Sequence, residues 1–312
     1  MTRRALILFG IMAVVWGIPY LFIRVAVDEI SPAVLVFART SLGAAILLPI
    51  ALLRTDYRAA LARWRWVAAF AIVEMGIPWI LLGTAEQHIT SSLAGLLVAG
   101  VPLVATVVAV VSGGRDRIGG SGAVGLVVGL VGVAAIVGVN LGSSSWAALL
   151  GMTLVVTGYA VGPAIMARRL TGVSNVSVIA FSLVLCALIY APVAAIQRPA
   201  TLPSTHVLAA VLILGVVCTA SAFLLFWQLI DETGPVRATV ITYLNPAVAA
   251  VLGIAVLNEA FTPVMGLGFG LVIIGSLLAT RPAGARSRDG RSEPAAEPAA
   301  EPAAELLDQA VS

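Results

Sequence analysis

The segment Thr242–Pro263, "TYLNPAVAAVLGIAVLNEAFTP", is apolar over most of its length, yet an Asn-Pro pair sits near its start and an Asn-Glu pair stops it. A helix breaker inside a membrane-length run and a carboxylate at its edge are both costly in lipid. A second segment, Ala99–Gly120, "AGVPLVATVVAVVSGGRDRIGG", has nearly the same shape. The likeness extends well beyond these two segments. Pro19 aligns with Pro163, Phe37 with Phe181 and Pro102 with Pro246, each 144 residues on; after a one-residue gap Asp116 aligns with Glu259, Gly125 with Gly268 and Gly132 with Gly275. A constant displacement over about 115 residues of each half marks an internal repeat.

Composition names the solvent. The hydrophobic fraction is 60% and the charged fraction 11%, with a mean hydropathy of +1.07. A soluble domain carries about 25% charged residues, so this chain is read as lying in a bilayer. All 18 basic residues are arginine. Without lysine there is neither a phosphate-binding loop of the Walker type nor a Schiff base. Two cysteines (Cys186, Cys218) and two histidines (His88, His206) show no metal-ligand spacing. No cofactor, metal or nucleic acid is implied. The partners are the bilayer and a small solute, and the sequence assigns no oligomeric state.

Runs of about 20 apolar residues cross a membrane. Ten are read, near 6–27, 33–53, 66–85, 91–111, 121–140, 146–166, 175–196, 206–229, 236–257 and 264–281. "MTRR" resembles the start of a signal peptide, but the run after it is long and lacks a clear small-residue cleavage site, so an uncleaved first span is expected. With the N-terminus in the cytoplasm, fifteen arginines fall in cytoplasmic segments and two, Arg24 and Arg198, opposite; Arg39 lies within the second span. That split agrees with the positive-inside rule. Five spans per half force the second copy upside down. The predicted fold is therefore all-α and membrane-integral: ten transmembrane helices as two inverted five-helix repeats, 5–140 and 146–281, with both termini cytoplasmic. The tail 282–312, with "EPAAEPAAEPAAE" from Glu293 to Glu305, is expected to be disordered.

"VVWGIPYLFIRVAV" in the first span, "PAVLVFARTSLGAAILLP" in the second and the paired Pro…Asp/Glu…Gly…Gly segments resemble the drug/metabolite transporter superfamily, specifically its ten-helix EamA-type permeases. Asp116 departs from the glutamate often found there. The resemblance covers about residues 5–281 and implies a secondary transporter of a small organic metabolite or drug in a cell membrane, that of a prokaryote in the first place. It is unspecific for substrate; export is favoured by analogy alone. A lipid-modifying membrane enzyme would need a charged constellation at one membrane face, for which Asp28–Glu29 and Asp231–Glu232 are too thin. A non-transporting scaffold would not need Glu74 and Arg39 within spans.

Several residues are candidates for chemistry. Pro19, Pro78, Pro102, Pro163 and Pro246 each free a carbonyl four residues earlier, as hinges or cavity-lining kinks, or simply as prolines common in membrane helices. Thr239, Thr242, Pro246, Ala249 and Gly253 form a small stripe whose twin is Gly95, Val98, Pro102, Ala105 and Ala109, suited to close packing or to solute room. Glu74 lies about eight residues into span three, where a carboxylate costs roughly 2.5–3.5 kcal/mol on insertion scales. It is read as a proton-coupling or substrate-amine site, or as the ion-pair partner of Arg39. Arg39 is an anchor or a clamp for a substrate carboxylate. Trp16, Tyr20, Tyr159, Trp227, Gln228, Tyr243 and Asn245 are polar-tipped candidates for lining a solute pocket, while Trp64, Trp66 and Trp146 read as interface belts. Gly125, Gly129, Gly266 and Gly270 are read as helix-packing positions.

Overall fold

The computed structural model describes residues 2–111, 120–140, 145–233 and 239–280. Asp116, Arg237 and the tail 282–312 lie outside these. Among the described residues the regular structure is helical, and eight helices are long and apolar enough to cross a membrane. They are α1 (Arg3–Val27), α2 (Pro32–Arg54), α3 (Trp64–Glu86), α4 (Ser91–Val111), α5 (Gly120–Gly138), α6 (Trp146–Arg169), α7 (Asn175–Ile196) and α8 (Thr205–Thr233). Two shorter apolar helices follow, α9 (Ile241–Leu257) and α10 (Pro263–Ala279). A short helix, Tyr57–Ala62, occupies the α2–α3 connection.

Hydroxyl residues start the helices. Thr2, Ser31, Thr90, Ser204 and Thr262 each accept the backbone N–H three residues on, and Pro32 and Pro263 follow two of these caps at the first helical position. At the other end of α9, Asn258 takes the left-handed conformation (φ 53°), and the Glu259 N–H returns to the Gly253 carbonyl. Asparagine tolerates that conformation well, which is how "LNE" ends the run.

Three of the prolines mark true breaks. Before Pro19, α1 opens into a turn at Trp16–Ile18; before Pro102, α4 opens at Ala99–Gly100; before Pro246, α9 winds as a tight 3₁₀ turn, Thr239–Tyr243. Pro78 acts differently. It follows a π-helical turn, Ala71–Gly76, in which the Ile77 N–H reaches the Ile72 carbonyl. A second π segment, Ile213–Ser221, lies in α8. Displaced by the repeat interval, 71–76 falls on 215–220, inside it. Pro163 does not open its helix as Pro19 does: α6 is helical from Trp146 to Arg169, as α2 and α7 are across Pro49 and Pro192. The proline twin is present, but the glycine-containing turn that opens α1 has no counterpart there.

Twin helices pack against each other, and their contacts run in opposite senses. Thr55 at the end of α2 meets Ser177 at the start of α7. Ser92 at the start of α4 donates to the Ala250 carbonyl of α9, and a methyl group on Gly95 would lie 2.6 Å from Ala249 Cβ. In the α5–α10 seam, a methyl group on Gly125 would lie 2.6 Å from the Gly275 oxygen, and one on Gly132 would lie 2.6 Å from the Gly268 oxygen. The remaining helices exchange roles: α3 lies on α6, and α1 on α8. The seam corrects the glycine reading. Gly125 and Gly129 are at the contact, but Gly268 and Gly275 complete it; Gly270 has open space, and Gly266 faces only Phe261. In the small stripe of α9, Ala249 and Gly253 serve close packing against α4.

Only 28–50% of the most apolar window of each long helix is buried within the bundle. The outward residues, such as Leu53, Leu188 and Leu267, are apolar too. Trp64, Trp66 and Trp146 are exposed, with Arg65 stacked near Trp64 and Arg169 over Trp66. The seam predicts a sharp contrast in thermal unfolding of the purified protein. Gly275→Val forces a side chain onto the Gly129 backbone and is expected to destabilise by about 1–3 kcal/mol or more, whereas Gly270→Ala is expected to change stability by no more than about 0.5 kcal/mol.

Candidate functional site at the broken helices

The breaks of α1 and α9 meet. Opening α1 at Gly17 leaves the Ala13 carbonyl without its usual N–H, because the Gly17 N–H goes to Val14 instead. The Asn245 amide, with its nitrogen turned to the carbonyls, donates to Ala13 O (3.3 Å) and Ile241 O (2.9 Å). Gly17 permits the approach, since a methyl group there would lie 2.5 Å from Val248 Cβ. Asn245 is thus a tie between the two halves.

Arg39 lies deeper. It is 7% exposed; its Nε donates to Thr219 Oγ1 at 2.8 Å, and its guanidinium carbon sits 3.8 Å from the centre of the Trp79 ring. Thr219 is part of the α8 π segment and donates its own proton to the Leu214 carbonyl at 2.8 Å. Tyr159 of α6 hydrogen-bonds with Trp79, and Tyr20 of α1 lies within electrostatic reach of the same guanidinium. A hydroxyl and aromatic rings therefore hold this cation, an arrangement suited to an anionic or planar organic group.

Glu74 is not its counter-ion. Among the described residues the ion pairs are Arg4–Glu232 (3.2 Å) and Arg24–Asp28 (2.8 Å). The π turn aims Glu74 at α6, where its Oε2 packs against Gly162, buried and without a hydrogen-bond partner. Arg39 turns the other way, to α8. The same π turn exposes carbonyls that α7 takes up: Tyr190 Oη donates to Gly76 O (3.0 Å) and Cys186 Sγ to Ala71 O (3.5 Å). Pro78 lies against Gly158 of α6.

The other candidates are scattered around this centre. Trp16 stacks on Phe226 (4.7 Å between ring centres) and Phe223 (6.1 Å). Trp227 has a buried indole N–H without a partner. Tyr20 is buried, Thr242 and Tyr243 are half-buried, and Tyr243 pairs with Thr280; Gln228 is exposed. Pro102 and Pro246 flank the α4–α9 contact.

Sequence reading missed Thr219, Trp79, Glu86 and the role of Glu259. Glu86 is the last residue of α3, fully buried, with both carboxyl oxygens unpartnered. Glu259 reaches across from the α9–α10 turn, and its two oxygens accept the Ser91 and Ser92 N–H groups, each at 2.8 Å, capping α4. A carboxylate abutting an apolar run on the same side as that cap was the available signal for Glu86.

The ends of α1 and α8 are also tied. Thr2 and Arg4 meet Glu232 at one end; at the other, Glu29 accepts the Ser204 backbone N–H at 2.7 Å. The Ser204 hydroxyl and N–H together hold the Glu29 carboxyl below the usual carboxylate range.

A family model described as the EamA-like transporter family matches residues 3–138 and again 145–281. One solved crystal structure overlays with a TM-score of 0.64 at 20% identity, covering 90% of this chain and 97% of that one. At that identity the likeness is one of fold. No curated relative matches the sequence.

Two outcomes follow from the geometry. Thr219→Val strips the buried guanidinium of its hydroxyl partner and is expected to cost about 1–3 kcal/mol in thermal unfolding. The Glu29 contribution is present above the pKa of an unfolded glutamate, about 4.3, and is lost as pH falls through the lower folded value. Thermal unfolding of wild type and Glu29→Gln should therefore differ near neutral pH and converge in strong acid.

Proposed function

This chain is a member of the EamA-like transporter family, and on that premise we propose that it is a secondary transporter of a small organic metabolite or drug, working by alternating access as an exporter in the cell membrane. In this reading ten helices cross the bilayer as two inverted repeats, 5–140 and 146–281, with both termini cytoplasmic. The opposed contacts of α2–α7, α4–α9 and α5–α10 support the inversion, which five-helix repeats require. The short α9 and α10 complete the ten.

The observation that carries the mechanism is the buried, unpartnered Oε2 of Glu74 on a π turn that faces α6. Carboxyls placed inside a membrane bundle without a counter-ion are proton carriers or substrate ligands by default. Glu74 carries the coupling proton. Arg39, with Trp79, Tyr159 and Tyr20, faces the solute, and Trp16, Trp227, Thr242 and Tyr243 line its route. The breaks at Pro19, Pro102 and Pro246 and the π turn before Pro78 are the joints about which one half rocks on the other.

A thermal-stabilisation screen across metabolite and drug classes identifies the ligand, which is then followed in reconstituted vesicles under an imposed pH gradient. Wild type is expected to move the solute in a pH-dependent way, and Glu74→Gln to lose that dependence by a factor of about 10 or more while folding normally. Unchanged flux and pH dependence in the variant would overturn the coupling role of Glu74.

A further inference from the structure

Glu86 lies at the far end of α3 from Glu74, and the transport reading makes no use of it. Both of its oxygens are buried and unpartnered, and so is Ser91 Oγ at the start of α4. Glu259 occupies the same junction, bound to the Ser91 and Ser92 N–H groups. Gly253 of α9 leaves room there: a methyl group at that position would run into Ser92 Oγ and Glu259 Oε2 and lie 3.0 Å from Ser91 Oγ. Oxygens from α4 and the α9–α10 turn thus converge on ground that any larger residue would fill, and Glu86 at the end of α3 lies within electrostatic reach of Glu259 there.

The charges around this junction do not balance. Glu259 and Arg24 are the charged groups facing Glu86. Arg24 is committed to Asp28 at 2.8 Å. Tyr20 of α1 and Tyr159 of α6 are the other titratable groups within reach, and His88 turns its Nδ1 to the Thr84 carbonyl. A buried carboxylate without a hydrogen-bond donor, facing only a cation that is already paired, is costly, and a second carboxylate nearby raises that cost. One positive charge at the junction removes both penalties.

We propose that Glu86, Ser91 and Glu259, with Ser92 Oγ beside them, form a binding site for a single monovalent cation, a proton or Na⁺. Occupancy would join α3 and α4 of the first repeat to the α9–α10 turn of the second. Its use in coupling rests on the transport reading, but binding itself does not, so the test reads binding and not flux.

Thermal unfolding of the purified full-length protein is followed from about pH 5 to about pH 9 in a sodium-free buffer with a bulky organic cation, and again with Na⁺ added. A proton held by the folded state alone gives stability that fades as pH rises. Wild type is expected to lose several degrees in Tm as pH rises, and Glu86→Gln to lose clearly fewer, the remainder belonging to other buried carboxyls such as Glu74. Recovery of the wild-type Tm by Na⁺ at high pH, absent in Glu86→Gln, identifies the ion as Na⁺; no recovery identifies a proton. Identical pH and Na⁺ responses in the two proteins overturn the site. Should Glu86→Gln fail to fold, an apolar carbodiimide, which attacks protonated buried carboxyls, reads the wild type directly by mass spectrometry. Labelling of Glu86 that falls at high pH or with Na⁺ supports the site, and labelling indifferent to both refutes it.

Discussion

Lipid offers no hydrogen bonds, so a carbonyl released by a broken helix must be satisfied from within the protein. That requirement organises the centre of this molecule. Asn245 answers the Ala13 carbonyl, Tyr190 and Cys186 donate to Gly76 and Ala71 at one π segment, Thr219 donates to Leu214 at the other, and Ser92 adds a bond to Ala250 within the unbroken part of α9. In most of these the donor comes from a different helix than the acceptor, and for Asn245, Tyr190, Cys186 and Ser92 it crosses between the two repeats. The breaks therefore hold the halves together as well as loosen the helices that contain them.

Around that polar middle the packing is carried by absent side chains. The α5–α10 seam brings backbone against backbone at Gly125, Gly132, Gly268 and Gly275. Such close approach substitutes for the hydrophobic driving force that lipid cannot supply. The seam is a closely packed flank, while the polar groups gather where the broken or π-wound helices α1, α3, α8 and α9 meet Arg39 of α2, Tyr159 of α6 and Tyr190 of α7.

How much of this was legible in the sequence depends on the type of signal. Proline is a local cause, so the breaks at Pro19, Pro102 and Pro246 followed from the letters. Pro163 sits inside a helix that does not open into a turn, unlike its twin Pro19. The π turns have no letter of their own; Pro78 hints at one, and nothing in "ILGVVCTAS" marks the other. Pairing Glu74 with Arg39 is an argument from charge, and it fails on direction, since the π turn points Glu74 at α6 while Arg39 reaches from α2 to Thr219 of α8. Glu86 escaped because it abuts the end of an apolar run, where a carboxylate reads as exposed; only the fold shows that it is buried.

The two π segments fall at the same place in each copy, yet one presents Glu74 and the other Cys218 at the corresponding position. Backbone irregularity is common property of the halves, while chemical identity is private to each. A scaffold built this way separates two design problems: symmetry fixes where a helix deforms, and a single letter on one side decides what that deformation is for.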